Sequence, residues 1–298
     1  MKKGLITLIV LGSLLTVTGG TIVGITIAKK SFGTSLKRDD HSYDFKESIA
    51  KLNIDVDTSQ ITFKKSDDEK THVECKEYER SYHSVKVEDG SLNIKSVDER
   101  KWSEKIFWFD KLEVNVYLPL DTYESFALKS DTGDFKSNLS LTFDEINAEF
   151  DTGDFTVENM VSNGDFKVKL STGNISLKDC KAKDIEFKTS TGDHYLNNVT
   201  AERITLESDT GKHKLEDVIA SDHLDIEANT GDVKLIYSDG GTIKIKTSTG
   251  DVAGTILTDK HFVVETSTGK TNYPKYTEGP VCEIKTSTGD INIEIKQR

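Results

Sequence analysis

The chain is poor in the residues that staple, kink or catalyse. Of its 298 residues only 3 are proline, 3 cysteine, 2 methionine and 2 tryptophan. Cys75, Cys180 and Cys282 are an odd, widely spaced set. They match no metal-ligand spacing and no disulfide framework. No G-x-S-x-G, H-E-x-x-H or phosphate-cradling glycine loop occurs. His72, His194 and His213 have no carboxylate or cysteine at catalytic or metal spacing, although His194 and His213 both stand two residues after a Thr-Gly glycine and should be stacked neighbours. The sequence therefore predicts no enzyme, no cofactor and no metal. Excess positive charge is also absent. All 51 acidic residues lie beyond position 28, against 37 basic ones there. Such a surface disfavours nucleic acid as a partner. Regularly spread β-branched and aromatic residues exclude a disordered composition.

One long apolar run is present, at the beginning. Gly4 to Ala28 carries no charge, between Lys2-Lys3 and Lys29-Lys30. Its 25 residues exceed the roughly 20 that a helix needs to cross a bilayer. A cleaved signal peptide would end on a small-x-small site, and Thr26-Ile27-Ala28 is a poor one. No lipobox cysteine follows. The expectation is an uncleaved, single-pass signal anchor over residues 4–28, after a cytoplasmic stub at 1–3, with the body outside the cell membrane. Residues 29–44 read as a linker. Residues 45–120 read as an irregular β lead-in that caps the remainder of the chain. Asp89-Gly90 between Val85-Lys86-Val87 and Leu92-Asn93-Ile94 looks like a hairpin turn.

From 121 to 298 a Thr-Gly pair recurs nine times, at Gly133, Gly153, Gly173, Gly192, Gly211, Gly231, Gly250, Gly269 and Gly289. The spacing is always 19 or 20 residues. Such a period means stacked units that bury apolar faces only against their neighbours. Seven residues before each glycine stand Phe126, Ile146, Phe166, Ile185, Ile204, Leu224, Ile243, Phe262 and Cys282. Five before stand Leu128, Ala148, Val168, Phe187, Leu206, Ile226, Ile245, Val264 and Ile284. Between these columns and the corner, the residue four before glycine is charged in all nine units: Lys129, Glu149, Lys169, Lys188, Glu207, Glu227, Lys246, Glu265 and Lys285. Strand side chains alternate faces, so one face is buried and the other wet. Each unit reads as strand, Thr-Gly corner, strand and return turn, with two main faces. The prediction is an all-β, single-stranded parallel β-solenoid. A β-propeller would need two units per blade, since blades take roughly 40–50 residues.

The corner glycine allows positive φ, and Asp, Asn or Ser two residues before it forms turns. After the glycine stand Asp134, Asp154, Asn174, Asp193, Lys212, Asp232, Asp251, Lys270 and Asp290. A calcium ladder would not place lysine in this column, so turn formation and solvation are favoured. The outward Lys/Glu column reads as a solvated face with ion pairs between coils. Trp102, Phe107, Trp108 and Phe109 form either an apolar cap on the first coil or a contact site.

An N-terminal span, a lead-in ending in Val116-Tyr117-Leu118-Pro119, and tandem S/D-T-G-D units preceded by I-x-I-K-T resemble the bacterial "putative adhesin" family of unknown function. They also resemble LiaG-type membrane-anchored accessory proteins of Gram-positive envelope-stress operons. The resemblance covers about residues 45–298. It implies a surface-exposed β-solenoid held at the membrane, acting by contact with cell-wall polymer or another envelope protein. The alternative is an extracellular solenoid that binds or cleaves polysaccharide, which calls for a groove lined by aromatics and paired acids.

Overall fold

The computed structural model describes residues 36–102, 111–275 and 278–297. The expected span at 4–28 lies outside the described residues. Among those residues no helix is long and apolar enough to cross a membrane. All 21 named elements are β-strands joined in one sheet.

The lead-in supplies β1 (His41–Phe45), β2 (Lys51–Lys65), β3 (Thr71–Lys76), β4 (Ser81–Glu88), β5 (Ser91–Asp98) and β6 (Leu112–Leu118). The repeats begin with β7 (Thr122–Thr132) and β8 (Phe135–Ser137), then β9 (Leu141–Thr152) and β10 (Phe155–Glu158). They continue through β11 (Met160–Thr172), β12 (Ile175–Thr191), β13 (His194–Thr210), β14 (His213–Thr230) and β15 (Val233–Ile236). β16 (Asp239–Thr249), β17 (Val252–Ile256), β18 (His261–Thr268), β19 (Thr271–Asn272), β20 (Val281–Thr288) and β21 (Ile291–Ile295) complete the chain.

The fold is a parallel β-solenoid. β12 pairs with β13 and β13 with β14, placing Ile185 beside Ile204 and Ile204 beside Leu224. All three are buried. The first two columns therefore form interior rows. Along the axis runs a file of rings: Phe135, Phe155, Phe166, Phe187 and His194, each centroid 5.1 to 6.3 Å from the next. A fully buried Leu, Ile or Phe contributes about 1.5–3 kcal/mol, whereas an exposed ion pair contributes ~0–1 kcal/mol. The interior rows hold the stack; the charged face tunes it. On that face Glu149 meets Lys169, Lys188 meets Glu207, and Glu227 meets Lys246 across adjacent coils.

Five of the coils bend more often than two faces would require. Six residues after the glycine, Asn159, Asp179, Asn198, Asp217 and Tyr237 have φ between 49° and 59°. Asn and Asp tolerate this left-handed conformation because their short polar side chains bond locally. A short third strand segment follows this bend, carrying the buried Met160, Cys180, Val199 and Val218.

The order of coils departs from the order of the sequence at both ends. β2 lies between two coils: it pairs parallel with β7 and β8 on one side, and with β5 and β6 on the other. β3 and β4 then lie antiparallel on β6 and β5, and β1 lies antiparallel on β3. At the opposite end β16 pairs with β20, and β20 in turn with β18. The coil of Gly289 is thus inserted between those of Gly250 and Gly269. This order brings Lys285 to 3.9 Å from Glu265. Near the same end, buried Lys260 sits 2.8 Å from Asp239 and also bonds the Gly240 carbonyl and the Thr258 hydroxyl.

Candidate functional site

At the corners the nine glycines stack one on another. A Cβ at Gly173 would stand 1.9 Å from the carbonyl oxygen of Gly153, and φ there is +141°. The glycine N–H donates to the Thr carbonyl of the adjoining coil, as Gly173 does to Thr191 at 2.9 Å. Backbone approach between coils, more than the bend itself, demands the missing side chain. The column after the glycine has a structural task. Asp154 Oδ1 accepts the backbone N–H of Asn174, Asn174 Oδ1 that of Asp193, and Asp193 Oδ1 that of Lys212. The ladder resumes from Asp232 to Asp251, to Asp290 and to Lys270. Lys270 therefore stands in the last coil, where no further N–H needs its side chain.

The chemically richest cluster lies in the lead-in. β3 carries Cys75 inward, the turn after it carries Glu77, β4 carries His83, β2 carries Ser59, and β1 carries His41. Cys75, Glu77, His83 and Ser59 are all at most 1% exposed. Glu77 Oε2 accepts both the backbone N–H of His83 at 2.7 Å and its ring Nδ1 at 2.7 Å. Glu77 Oε1 lies 2.7 Å from His41 Nδ1. An ionised carboxylate only accepts, so His83 carries its proton on Nδ1. Its Nε2 then accepts from the Ser59 hydroxyl at 2.8 Å. Burial, then the nearby Glu77 charge, push the Cys75 thiol far above its ordinary range. Ser59 occupies the corner position that glycine fills in the repeats, since a Cβ on Gly133 would meet the Ser59 carbonyl oxygen at 1.9 Å.

Ser59, His83 and Glu77 have the hydrogen-bond order of nucleophile, base and orienting acid. The sequence shows no such constellation, because its members come from three separate segments. Its burial removes the chemistry: a substrate carbonyl has no approach to a serine that is 1% exposed. The legible signal was a charged residue in an inward column, since Thr71, Val73, Cys75 and Glu77 alternate inward with Glu77 in an apolar position.

The other histidines correct the sequence reading in one case and bear it out in another. His72 does have carboxylate partners, with Asp44 at 2.7 Å and Asp68 at 2.8 Å. Asp68 is only four residues away in sequence, and Asp44 arrives across the β1–β3 ladder. Their hydrogen bonds, Asp44 first, raise the His72 pKa. His194 and His213 are direct neighbours in adjoining coils, with ring centroids 4.7 Å apart and the rings edge to face. Their Nε2 atoms meet Thr189 and Ser208 hydroxyls at 3.1 and 2.9 Å. Both Nδ1 atoms are buried without a partner. Burial lowers the pKa values to about 3 for His194 and about 4 for His213. Trp102 is 75% exposed; Phe107, Trp108 and Phe109 lie outside the described residues. All three cysteines are buried and free.

A family model described as Toastrack DUF4097 matches residues 49–294. No curated protein matches the chain. Among solved structures, one described as a "putative adhesin" from Bacteroides fragilis is 16% identical, with a TM-score of 0.51, over 86% of this chain and 97% of that one. One described as a "putative lipid binding protein" from Parabacteroides distasonis is 14% identical, also with a TM-score of 0.51, over 86% of this chain and 97% of that one. At these identities the likeness is one of fold. The family match takes in β2 and all nine glycine corners, and the chain belongs to the Toastrack DUF4097 family.

Proposed function

We propose that this protein is a non-enzymatic, adhesin-like contact module. Residues 4–28 tether it to the cell membrane with the rod on the outer side, and it acts as adhesin, scaffold or envelope-stress accessory against cell-wall polymer or another envelope protein. One observation carries the reading: the long face is a solvated mosaic of charge, while the one serine–histidine–carboxylate relay among the described residues is sealed. The cleft between Lys169, Lys188, Glu207 and Glu227 has charged walls and no aromatic ring. A sugar-binding groove usually stacks its ligand on such rings; a second cleft does carry one, the half-exposed Tyr195, with Glu158 and Glu216 in its lining, and it keeps polysaccharide binding as the second reading. Resemblance in fold to a protein described as an adhesin supports the first reading.

The test uses the full chain with a C-terminal tag in a Gram-positive host. Expected are recovery in the membrane fraction, digestion by protease added to intact cells, and retention of envelope fragments by beads carrying the purified chain. Cytosolic recovery, or release of reducing sugar from wall polysaccharide, would overturn it.

A further inference from the structure

We propose that Cys75, Glu77 and His83, closed by His41, form a binding site for one divalent transition metal of the zinc class. The ligand atoms of Cys75, Glu77 and His83 all lie within 4.8 Å of one another. Bond lengths of about 2.0–2.3 Å put the ligand atoms of tetrahedral zinc roughly 3.3–3.8 Å apart. Side-chain shifts of about 1 Å would part the Glu77 and His83 atoms, now 2.7 Å apart, and bring the three ligand atoms to that separation. His41 lies outside this group of three, and its ring must swing inward from Glu77 to supply a fourth donor. It is the cross-strand partner of Cys75 in the β1–β3 ladder, so both side chains leave the same face. Its Nδ1 already touches the Glu77 carboxylate.

The donor set also selects the class of ion. One thiolate and two imidazoles suit zinc, whereas calcium and magnesium take oxygen ligands. A thiolate and a carboxylate carry two negative charges into a sealed interior, and a divalent cation cancels both. The surroundings hold the ligands as metal sites require. Ser59 meets His83 Nε2 and fixes the ring with Nδ1 toward Glu77. When the metal takes Nδ1, the proton stands on Nε2 and the same hydroxyl accepts it. Cys75 gives up its proton to solvent on binding. No oxidant or reductant takes part. The half-exposed His41 ring, with 44% of its side chain accessible, is the entrance.

Such an ion ties the outermost strand β1 to β3, β4 and the turn between them. It would lock the segment joining the N-terminal region to the first coils. The site is independent of what the rod contacts, so it stands or falls apart from the adhesin-like reading.

The experiment uses purified, chelator-treated full chain with Zn²⁺ or Co²⁺ alone as probes. Expected are one equivalent bound, a zinc-dependent rise in Tm, and a near-ultraviolet thiolate-to-cobalt band with visible bands of tetrahedral Co²⁺. Cys75→Ser should abolish the near-ultraviolet band. His41→Ala removes the partner of the buried Glu77 Oε1, so it should lower the metal-free Tm; measured well below that Tm, on the folded variant, zinc affinity should fall at least tenfold. Asp68→Asn, which disturbs the contacts of Asp68 with Ser66, Lys70 and His72 and touches none of the proposed ligands, should leave the zinc affinity and the cobalt band unchanged. No cobalt band in the wild-type protein, or a band that survives Cys75→Ser, overturns the proposal. Unchanged zinc affinity in a folded His41→Ala variant removes the fourth ligand and overturns the four-residue site.

Discussion

The two histidines inside the solenoid should make the rod acid-labile in a defined window. His194 and His213 occupy an inward position that holds Phe135, Phe155, Ile175, Val233, Val252 and Ile291 in other coils. Both are neutral when folded, with pKa values near 3 and 4 caused by burial. An unfolded histidine titrates near 6.5. The unfolded chain therefore takes up these two protons first as the pH falls. Above about pH 6.5 the pair carries no protonation penalty, and stability drains away below it until the folded rings protonate near 3 to 4. At pH 5 each ring is about 1.5 pH units below the unfolded pKa, which costs about 2 kcal/mol, or about 4 kcal/mol for the pair. That is a large share of the ~5–15 kcal/mol typical of a folded domain. The double substitution His194→Ile with His213→Val installs residue types already used in this column. Urea unfolding at pH 7.5 and pH 5 is the assay. The wild-type protein should lose about 4 kcal/mol more than the double variant over that interval. His72 titrates with the opposite sign: its raised pKa gives stability that is present below about 6.5 and lost as pH rises. It is common to both proteins and cancels in the difference. Parallel losses in the two proteins would refute the reasoning.

Two further predictions address the corners and the coil order. Gly173→Ala places a Cβ 1.9 Å from the Gly153 carbonyl oxygen at φ +141°, so it should cost roughly 3–5 kcal/mol, read as a lowered urea midpoint. The same substitution at Gly90, where the nearest atom would be 3.8 Å away, should cost much less despite its positive φ. Lys246→Cys with Lys285→Cys should form a disulfide under mild oxidation, because these outward residues are direct neighbours in adjoining coils. Lys246→Cys with Glu265→Cys should not, since the Gly289 coil lies between them. The reverse pattern would restore sequence order to the last coils.

Much of the architecture was legible because a solenoid writes itself into the chain once per coil. Interior rows such as Ile185, Ile204 and Leu224 need only the period and the two-residue alternation of strands. The lead-in hid its kinship. Leu52, Ile54 and Val56 pair with Phe126, Leu128 and Ser130 in the repeats' own register. Yet Thr58-Ser59 replaces Thr-Gly there, because β2 meets β6 on its outer side at Leu112 and no further glycine corner has to approach it. The cluster of Ser59, Cys75, Glu77 and His83 was illegible for a related reason. It is drawn together by antiparallel pairing at the cap, where no repeat marks the partners.

The linear pattern of residues dictates the parallel coils, their inward columns, the glycine corners and the charged outer face. Each of these is a local requirement repeated at a fixed spacing. Which coil lies against which is settled only by packing in three dimensions. The inward columns are alike in being largely apolar, so any coil would fit beside any other, and the repeat cannot name its own neighbour. Placing the Gly289 coil inside the Gly269 coil brings Lys285 to Glu265 and puts Lys270 at the end of the carboxylate ladder. Those contacts depend on the chosen order, and they exist only after the chain has closed on itself.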